Sequence, residues 1–406
     1  MHHAPALDGL RGVAILLVIF THATVLQPST RLEQAVLAPM ILGWCGVDLF
    51  FVLSGFLITS ILLHARGGRA YFRAFYARRV LRIMPLYYLL LAFVLLILPR
   101  FSHQKSAEFA AASDNSWTYW LFLSNFKNAV EGDFGHPLLA VTWSLAIEEQ
   151  FYLLWPLVVL LAGSRGLRWI CPALAVGSLL CRATFMYALN SDPVTLYTFT
   201  PCRLDGLALG ALVAALVYDG WNPDRFAKRF ALIAAAAYLA VLASEVARPL
   251  PESGRAYQYS WFACGPGFTL LSLAGCGLLL LALSPAAAPT LNRVLRASWL
   301  RSFGKYSYGI YLLHLPVRSL LRDALFGPVA GGGQPLFAFP SWGGSQLLGQ
   351  AFFYPLAVAA CWLTGWVSWR LIEGPILRLK RYFPYNRPLA ESSPAATHAP
   401  PASTRA

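Results

Sequence analysis

The chain contains few charged residues. Only 12% of its 406 residues are Asp, Glu, Lys or Arg, whereas 57% belong to the apolar set Ala, Val, Ile, Leu, Met, Phe, Trp, Tyr and Cys. Soluble domains carry about a quarter of their residues charged, because a globule needs polar surface to face water. The composition therefore excludes a soluble enzyme and predicts an integral membrane protein.

The seven cysteines lack any pattern that carries chemistry. They are scattered in or beside apolar runs, their number is odd, and no C-x2-C pair occurs among them. This argues against a disulfide framework and against a zinc site, so we expect no metal. The net charge of +14 is also not concentrated on one face or tail, and we therefore expect no nucleic-acid partner.

Ten apolar runs approach the length of about 20 residues that a membrane-spanning helix needs. They lie near 13–27, 43–63, 83–99, 139–162, 169–189, 203–218, 231–247, 261–283, 303–322 and 347–371. If the N-terminus is cytoplasmic, the inner segments hold twenty Lys and Arg residues and the outer segments six. This asymmetry predicts an all-α, polytopic membrane protein with about ten transmembrane helices and both termini in the cytoplasm.

The chain divides into two parts by composition. Residues 1–381 contain all the apolar runs and are predicted to form one membrane domain. Residues 382–406 are rich in Pro, Ala and Ser, and we expect them to form a disordered cytoplasmic tail.

Arg11 and His22 lie in the first apolar segment, where ionisable groups are costly and therefore usually have a role. Eleven residues bring a helix to within about 20° of three full turns, so both side chains share one face, about 16 Å apart along the axis. A cation near the cytoplasmic edge and a base deeper in the membrane suit a long anionic donor. The alternative is an arginine that reaches the interface and a histidine that packs between helices.

The second run, GVDLFFVLSGFLI, contains Asp48 and Ser54. Asp48 is expected either to brace His22 or an arginine on another helix, or to belong to a polar pair that fixes packing. Gly46 and Gly55 in the same run permit close helix contact.

Arg79 and Arg82 belong to the basic segment RARRVLRIMP and lie three residues apart, so they are neighbours on a helix. Guanidinium groups bind phosphate through two parallel hydrogen bonds, which makes this pair a candidate phosphate site. In the other interpretation, these arginines set the membrane topology and contact anionic lipid.

Glu148 and Glu149 in WSLAIEEQFYLLWP are adjacent, so they cannot share a helix face. A buried carboxylate beside an imidazole would hold its tautomer, whereas a carboxylate beside an arginine would form an interhelical ion pair.

Two further segments place polar groups in apolar runs. Arg203 begins the run at 203–218, and Tyr308, Tyr311 and His314 recur every three residues in KYSYGIYLLHLPV. The second pattern predicts a polar stripe, which is either a packing network or part of a reaction centre.

Taken together, these segments resemble the acyltransferase-3 family of membrane acyltransferases, which includes bacterial glycan and macrolide O-acyltransferases. The resemblance covers residues 6–380. It rests on DGLRG with ten residues between Arg11 and His22, GVDLFFVLSGF, the Arg79–Arg82 pair before IMP, WSLAIEEQFYLLWP, RLDGLALGA and SYGIYLLHLPV, in that order.

The resemblance implies a multi-pass protein of the inner (cytoplasmic) membrane that moves an acyl group, commonly acetyl, from cytoplasmic acyl-CoA to a hydroxyl group. His22 would be the catalytic histidine, acting as general base or as a transient acyl carrier, with Glu148 or Asp48 orienting its ring. Arg11, Arg79 and Arg82 would contact CoA. Possible further contacts to the substrates, including oxyanion donors, come from Ser54, Arg203, Tyr311 and His314.

Acyl-CoA would be a co-substrate, and no bound cofactor is expected. Many relatives carry an additional extracytoplasmic domain that this sequence does not show, so a simpler acceptor or a separate extracytoplasmic partner protein is expected. The acceptor would be a glycan or a small secondary metabolite. A proton-coupled transporter that uses His22, Glu148 and His314 as a relay is the alternative from another class.

Overall fold

The computed structural model describes residues 4–26, 28, 30–101, 115–248, 260–326 and 345–385. Every regular element of these residues is helical, which confirms the predicted all-α class. The helices are α1 (Pro5–Ala23), α2 (Arg31–Ile41), α3 (Gly46–Ala65), α4 (Tyr71–Ala92), α5 (Trp117–Trp120), α6 (Ser124–Glu131), α7 (Thr142–Tyr187), α8 (Pro193–Thr198), α9 (Leu204–Tyr218), α10 (Ala227–Val246), α11 (Phe268–Leu283), α12 (Pro289–Leu295), α13 (Ser298–Phe326), α14 (Leu347–Ser368) and α15 (Gly374–Leu377).

Short irregular helices connect several of these elements. A π-helical turn (Phe93–Ile97) carries α4 on to Phe101, and others precede α11 (Ala263–Gly267) and follow α14 (Trp369–Glu373). The segments with 3-10 geometry are Leu42–Cys45, Thr200–Cys202, Pro223–Arg225 and Arg378–Tyr382.

Seven of the described helical segments are long and apolar enough to cross a membrane. One of them, α7, departs from helical geometry at Gly163 (φ 59°, ψ −175°) and thereby covers two of the predicted runs. The helices α9 and α13 lie at two further predicted runs, α9 being shorter and α13 more polar than the seven. The protein is therefore a multi-pass membrane protein, and the number of crossings and the side of each terminus stay predictions.

Two helix pairs make the most intimate contacts, α1 with α13 and α3 with α9. A Cβ atom on Gly304 of α13 would lie 1.8 Å from the carbonyl oxygen of Asp8, and one on Gly55 of α3 would lie 1.9 Å from that of Leu207. Only glycine permits such backbone approach. As a result, the helix that carries Arg11 and His22 lies directly against the helix that carries the predicted Tyr308–His314 stripe.

The end of the described chain packs on α4. Residues 382–385 were predicted to begin the tail, but the carbonyl oxygen of Phe383 accepts a hydrogen bond from Arg78 and the ring of Tyr385 faces the same guanidinium. The remainder of the predicted tail lies outside the described residues.

Candidate active site

A cavity of about 1010 Å³ opens between α1, α3, α4, α7 and α13. The first turns of α1 and α13 contribute to its wall, and these are helix ends that the charge asymmetry predicts to be cytoplasmic. Two carboxylates, Asp8 and Glu148, line it. The cationic lining residues are Arg11, Arg79, Arg82, Arg301, Lys305 and Lys380. Six cations facing two anions create a positive field that favours a ligand with several negative charges.

Six of the predicted site residues line this one cavity. They are Arg11, Ser54, Arg79, Arg82, Glu148 and Tyr311. The chain brings them together from five different helices, so neighbouring positions in the sequence account for only the Arg79–Arg82 pair.

Aromatic rings support the two arginines of α4. The Arg82 guanidinium lies 5.7 Å from the ring centres of both Tyr308 and Trp369. That of Arg79 lies 5.8 Å from Phe75 and 5.5 Å from Tyr152. Contact with a ring face holds the guanidinium plane and leaves its in-plane N–H groups available. The buried Nε of Arg79 donates to no acceptor in the described part of the chain, as a site awaiting an anion would require.

Glu148 is held in the cavity by hydroxyl groups. The Tyr152 hydroxyl donates to its Oε2 at 2.9 Å and is itself hydrogen-bonded to the Ser54 hydroxyl. Glu148 also lies within electrostatic reach of Arg11 and Arg79. Its neighbour Glu149 does not belong to the cavity wall, because consecutive residues of a helix point about 100° apart. Glu148 therefore offsets part of the positive charge of these arginines.

Tyr311 lines the deep end of the cavity, on the side nearest the two histidines. Its hydroxyl group lies 2.5 Å from the Ser144 hydroxyl, and its carbonyl oxygen lies 2.7 Å from Nδ1 of His314. The His314 ring in turn packs edge-on against His22, with ring centres 4.8 Å apart. The two imidazoles thus lie one step beyond the cavity, and His22 is not one of its lining residues.

Both imidazoles present the same nitrogen for chemistry. Nδ1 of His22 lies 2.9 Å from the carbonyl oxygen of Val18, and Nδ1 of His314 lies 2.7 Å from that of Tyr311. Because a carbonyl oxygen can only accept, Nδ1 carries the proton and Nε2 keeps its lone pair. Nε2 of His314 is buried and has no partner among the described residues. The pair therefore offers lone pairs suited to take up a proton or an acyl group.

Gln350 of α14 fixes the end of α1 that carries His22. Its side-chain carbonyl accepts hydrogen bonds from the backbone N–H groups of Val25 (2.8 Å) and Leu26 (3.1 Å), and its amide donates to the carbonyl of Ala23 at 3.0 Å. These backbone groups lie just past the helix end, where no intrahelical partner exists. One side chain thus holds the segment that follows the histidine.

Of the two partners predicted for Asp48, His22 and an arginine on another helix, the structure shows the arginine. The predicted contact of His22 with Asp48 or Glu148 is not formed in the described part of the chain. Asp48 forms an ion pair with Arg203 at 2.8 Å, and Glu148 binds Tyr152. The close packing of α3 on α9 brings the Asp48 carboxylate to the arginine that precedes α9. The backbone carbonyl of Val18 meets Nδ1 of His22 in place of either carboxylate.

Arg203 and Asp48 belong to a closed polar cluster away from the cavity. The Arg203 guanidinium lies 3.9 Å from the ring centre of Phe268, and a second ion pair joins Arg182 to Asp205 at 2.9 Å. Neither Arg203 nor Asp48 lines the cavity. Their surroundings fit the interpretation of a polar pair that fixes packing.

Several polar residues of the cavity were not singled out from the sequence, and four of them show why. Lys305 lies three residues before Tyr308 and could have been found by extending the stripe by one step. Tyr152 likewise lies one turn after Glu148. Arg301 and Lys380 enter the cavity wall from segments whose charges also fit topology, and no spacing in the sequence marks them.

Comparison with known proteins decides the family. The sequence profile of the acyltransferase-3 acyltransferase domain matches residues 5–366. The chain belongs to the acyltransferase-3 family.

Three relatives show how similar this chain is to known proteins. YrhL of Bacillus subtilis is 32% identical over 355 residues, 83% of this chain and 51% of that protein. The peptidoglycan O-acetyltransferase OatA of Listeria monocytogenes is 30% identical over 339 residues, 80% and 50% of the two chains. The O-acetyltransferase OatA of Staphylococcus aureus is 30% identical over 334 residues, 78% and 50%. The chain thus spans about half the length of these curated relatives. No solved structure matches it.

Proposed function

We propose that this acyltransferase-3 protein transfers an acyl group, acetyl in the first instance, from acyl-CoA to a hydroxyl group of a glycan. It would do so in the cytoplasmic membrane, with acyl-CoA entering from the cytoplasm. The observation that carries the proposal is the six-cation cavity whose deep end adjoins the His22–His314 pair. The names of the relatives from Listeria and Staphylococcus support acetyl as the group, and that of the Listeria relative supports a glycan as the acceptor. A small secondary metabolite with a free hydroxyl fits the same chemistry.

The charge and size of the cavity support a nucleotide thioester as the donor. At about 1010 Å³ it is at the upper end of typical ligand pockets. Arg11, Arg79 and Arg82 would bind the phosphate groups, since guanidinium groups recognise phosphate through two parallel hydrogen bonds. The thioester end would then extend past Tyr311 toward the imidazoles.

His22 would supply the chemistry in one of two ways. As a general base, Nε2 takes the proton of the acceptor hydroxyl while the hydroxyl oxygen bonds to the acyl carbon. The C–S bond of the thioester breaks, and the proton passes from Nε2 to the thiolate. As an acyl carrier, Nε2 first bonds to the acyl carbon as the C–S bond breaks and the thiolate is released. The acceptor oxygen then bonds to the acyl carbon, the C–Nε2 bond breaks, and the proton of the acceptor hydroxyl passes to the thiolate. The Nδ1–Val18 contact suits both, because it leaves Nε2 free to react.

The oxyanion that develops on the acyl group needs donors as well as a base. The hydroxyl groups of Tyr311 and Ser144 lie at the deep end of the cavity, and that of Ser54 lies in its wall. We assign the stabilisation of the oxyanion to the Tyr311 hydroxyl, because the side chain of Tyr311 contacts the ring of His314 directly.

The deciding experiment supplies membranes that contain the full chain with radiolabelled acetyl-CoA and a glycan acceptor. We expect labelled ester that is released by mild base. A proton-coupled transporter would move solute and form no ester. Mass spectrometry of cell-wall glycans from cells with and without the gene would identify the acceptor by a mass difference of one acyl unit.

Arg82→Ala tests the donor site. Loss of one charge-assisted contact to phosphate is expected to raise the KM for acetyl-CoA by about tenfold and to change kcat by less than about threefold, as removal of uniform binding does. Steady-state kinetics in membranes measures both parameters. Arg69→Ala is the matched control, because Arg69 is exposed and lies outside the cavity. An unchanged KM in Arg82→Ala would assign this arginine to topology.

A further inference from the structure

We propose that residues 378–385 form a strap along the predicted cytoplasmic end of the cavity and that Lys380 binds a phosphate group of the donor. This inference rests on the proposed function and adds to it a donor-binding residue. The strap follows α15, at the far end of the chain from α1, yet Lys380 lines the same cavity as Arg11, Arg79 and Arg82.

Arg78 fastens the strap to α4. Its Nε donates to the carbonyl oxygen of Phe383 at 2.6 Å, its Nη2 lies 3.4 Å from the carbonyl oxygen of Lys380, and its guanidinium lies 5.0 Å from the ring centre of Tyr385. Arg73 adds a contact to the ring of Phe383 at 5.8 Å. The contacts of Arg78 use the backbone of the strap and leave the ammonium group of Lys380 available to the cavity.

Adjacent positions of α4 therefore perform two different tasks. Arg78 contacts the strap, whereas Arg79 lines the cavity, because their side chains point about 100° apart around the helix. One turn of α4 thus links the position of the strap to the wall of the donor cavity.

The charges around Lys380 call for an anion. Arg11, Arg78, Arg79 and Arg82 all lie within electrostatic reach of its ammonium group. Like charges collected at low dielectric repel one another, and a phosphate group placed between them turns the repulsion into attraction. Lysine binds phosphate as a point charge and needs no fixed plane. A lysine on a connecting segment is therefore suited to complete a phosphate-binding site whose other cations are arginines on rigid helices.

The strap lies beyond residue 366, where the match to the acyltransferase-3 profile ends.

Lys380→Gln in the full chain tests the proposal. We expect the KM for acetyl-CoA to rise about tenfold with kcat changed by less than about twofold, as loss of one charge-assisted contact predicts. Lys380→Arg should restore the KM to within about threefold of the wild type, because it keeps the cation. The matched control is Arg381→Gln, the neighbouring cation of the strap, which is exposed and contacts Tyr382.

A phosphate-free donor separates phosphate binding from a structural role. With the acetyl thioester of N-acetylcysteamine, Lys380→Gln and wild type should show the same kcat/KM. A defect of equal size with both donors would overturn the assignment, and so would a wild-type KM for acetyl-CoA in Lys380→Gln. If the wild-type protein forms no ester from acetyl-CoA, the proposed function and the strap assignment fail together. If the wild-type protein forms ester and Lys380→Gln has the same KM for acetyl-CoA, the strap assignment alone fails.

Discussion

His22→Ala is expected to abolish acyl transfer while the protein still accumulates in the membrane. A positioned base contributes roughly 10²–10⁴-fold to such a reaction, and a carrier that forms the covalent intermediate contributes at least as much. The side chain is not needed for the backbone of α1, since Gln350 holds the segment after it. Ester formation from radiolabelled acetyl-CoA, normalised to the amount of folded protein, measures the effect.

His64→Ala provides a matched control for this substitution. His64 also places its Nδ1 against the carbonyl oxygen four residues earlier, that of Ser60, at 2.7 Å, near the end of α3. It is exposed and does not line the cavity. Near-normal ester formation by His22→Ala, or an equal loss in His64→Ala, would contradict the role assigned to His22.

Asp48→Leu is expected to lower the free energy of unfolding by about 3–5 kcal/mol, because it leaves the Arg203 cation buried without its partner. The two side chains are 2% and 0% exposed, so water cannot replace the lost carboxylate. Thermal unfolding of the protein in detergent, followed by size-exclusion chromatography, provides the measurement.

The double substitution Asp48→Leu/Arg203→Met is expected to recover most of that loss, since an apolar pair of similar volume replaces a buried ion pair at little cost. If the double variant also retains ester formation, Asp48 acts in packing. A folded double variant that has lost all transfer would instead support the catalytic role that the sequence predicted for Asp48.

Much of the helical framework was predictable, because apolar runs of about 20 residues have few other uses. The helix α4 is an instructive case, since its apolar part was predicted to begin at residue 83 and the helix begins at Tyr71. The basic segment before the run is therefore helical, and Arg79 and Arg82 are neighbours on it as their spacing predicted.

The partners of the polar residues were less predictable. Helical spacing states which side chains share a face, but the partner on the next helix depends on how two helices cross. Asp48 was expected to brace His22 or an arginine on another helix, and the sequence did not identify Arg203, 155 positions later, as that arginine. The pairing of His22 with His314 joins the first helix to α13 and has no local signal. Lys380 enters the cavity only because Arg78 holds the strap that carries it.

The three hydrogen bonds of Gln350 have a consequence for biosynthesis. The segment behind His22 is synthesised well before the side chain that secures it, because Gln350 belongs to α14 and lies 325 positions after Val25. A nascent chain that has inserted its first helices therefore holds an incompletely anchored imidazole. Competence to react would arise only after α14 has been synthesised and packed, so translation products that stop before α14 would reach the bilayer without a working centre.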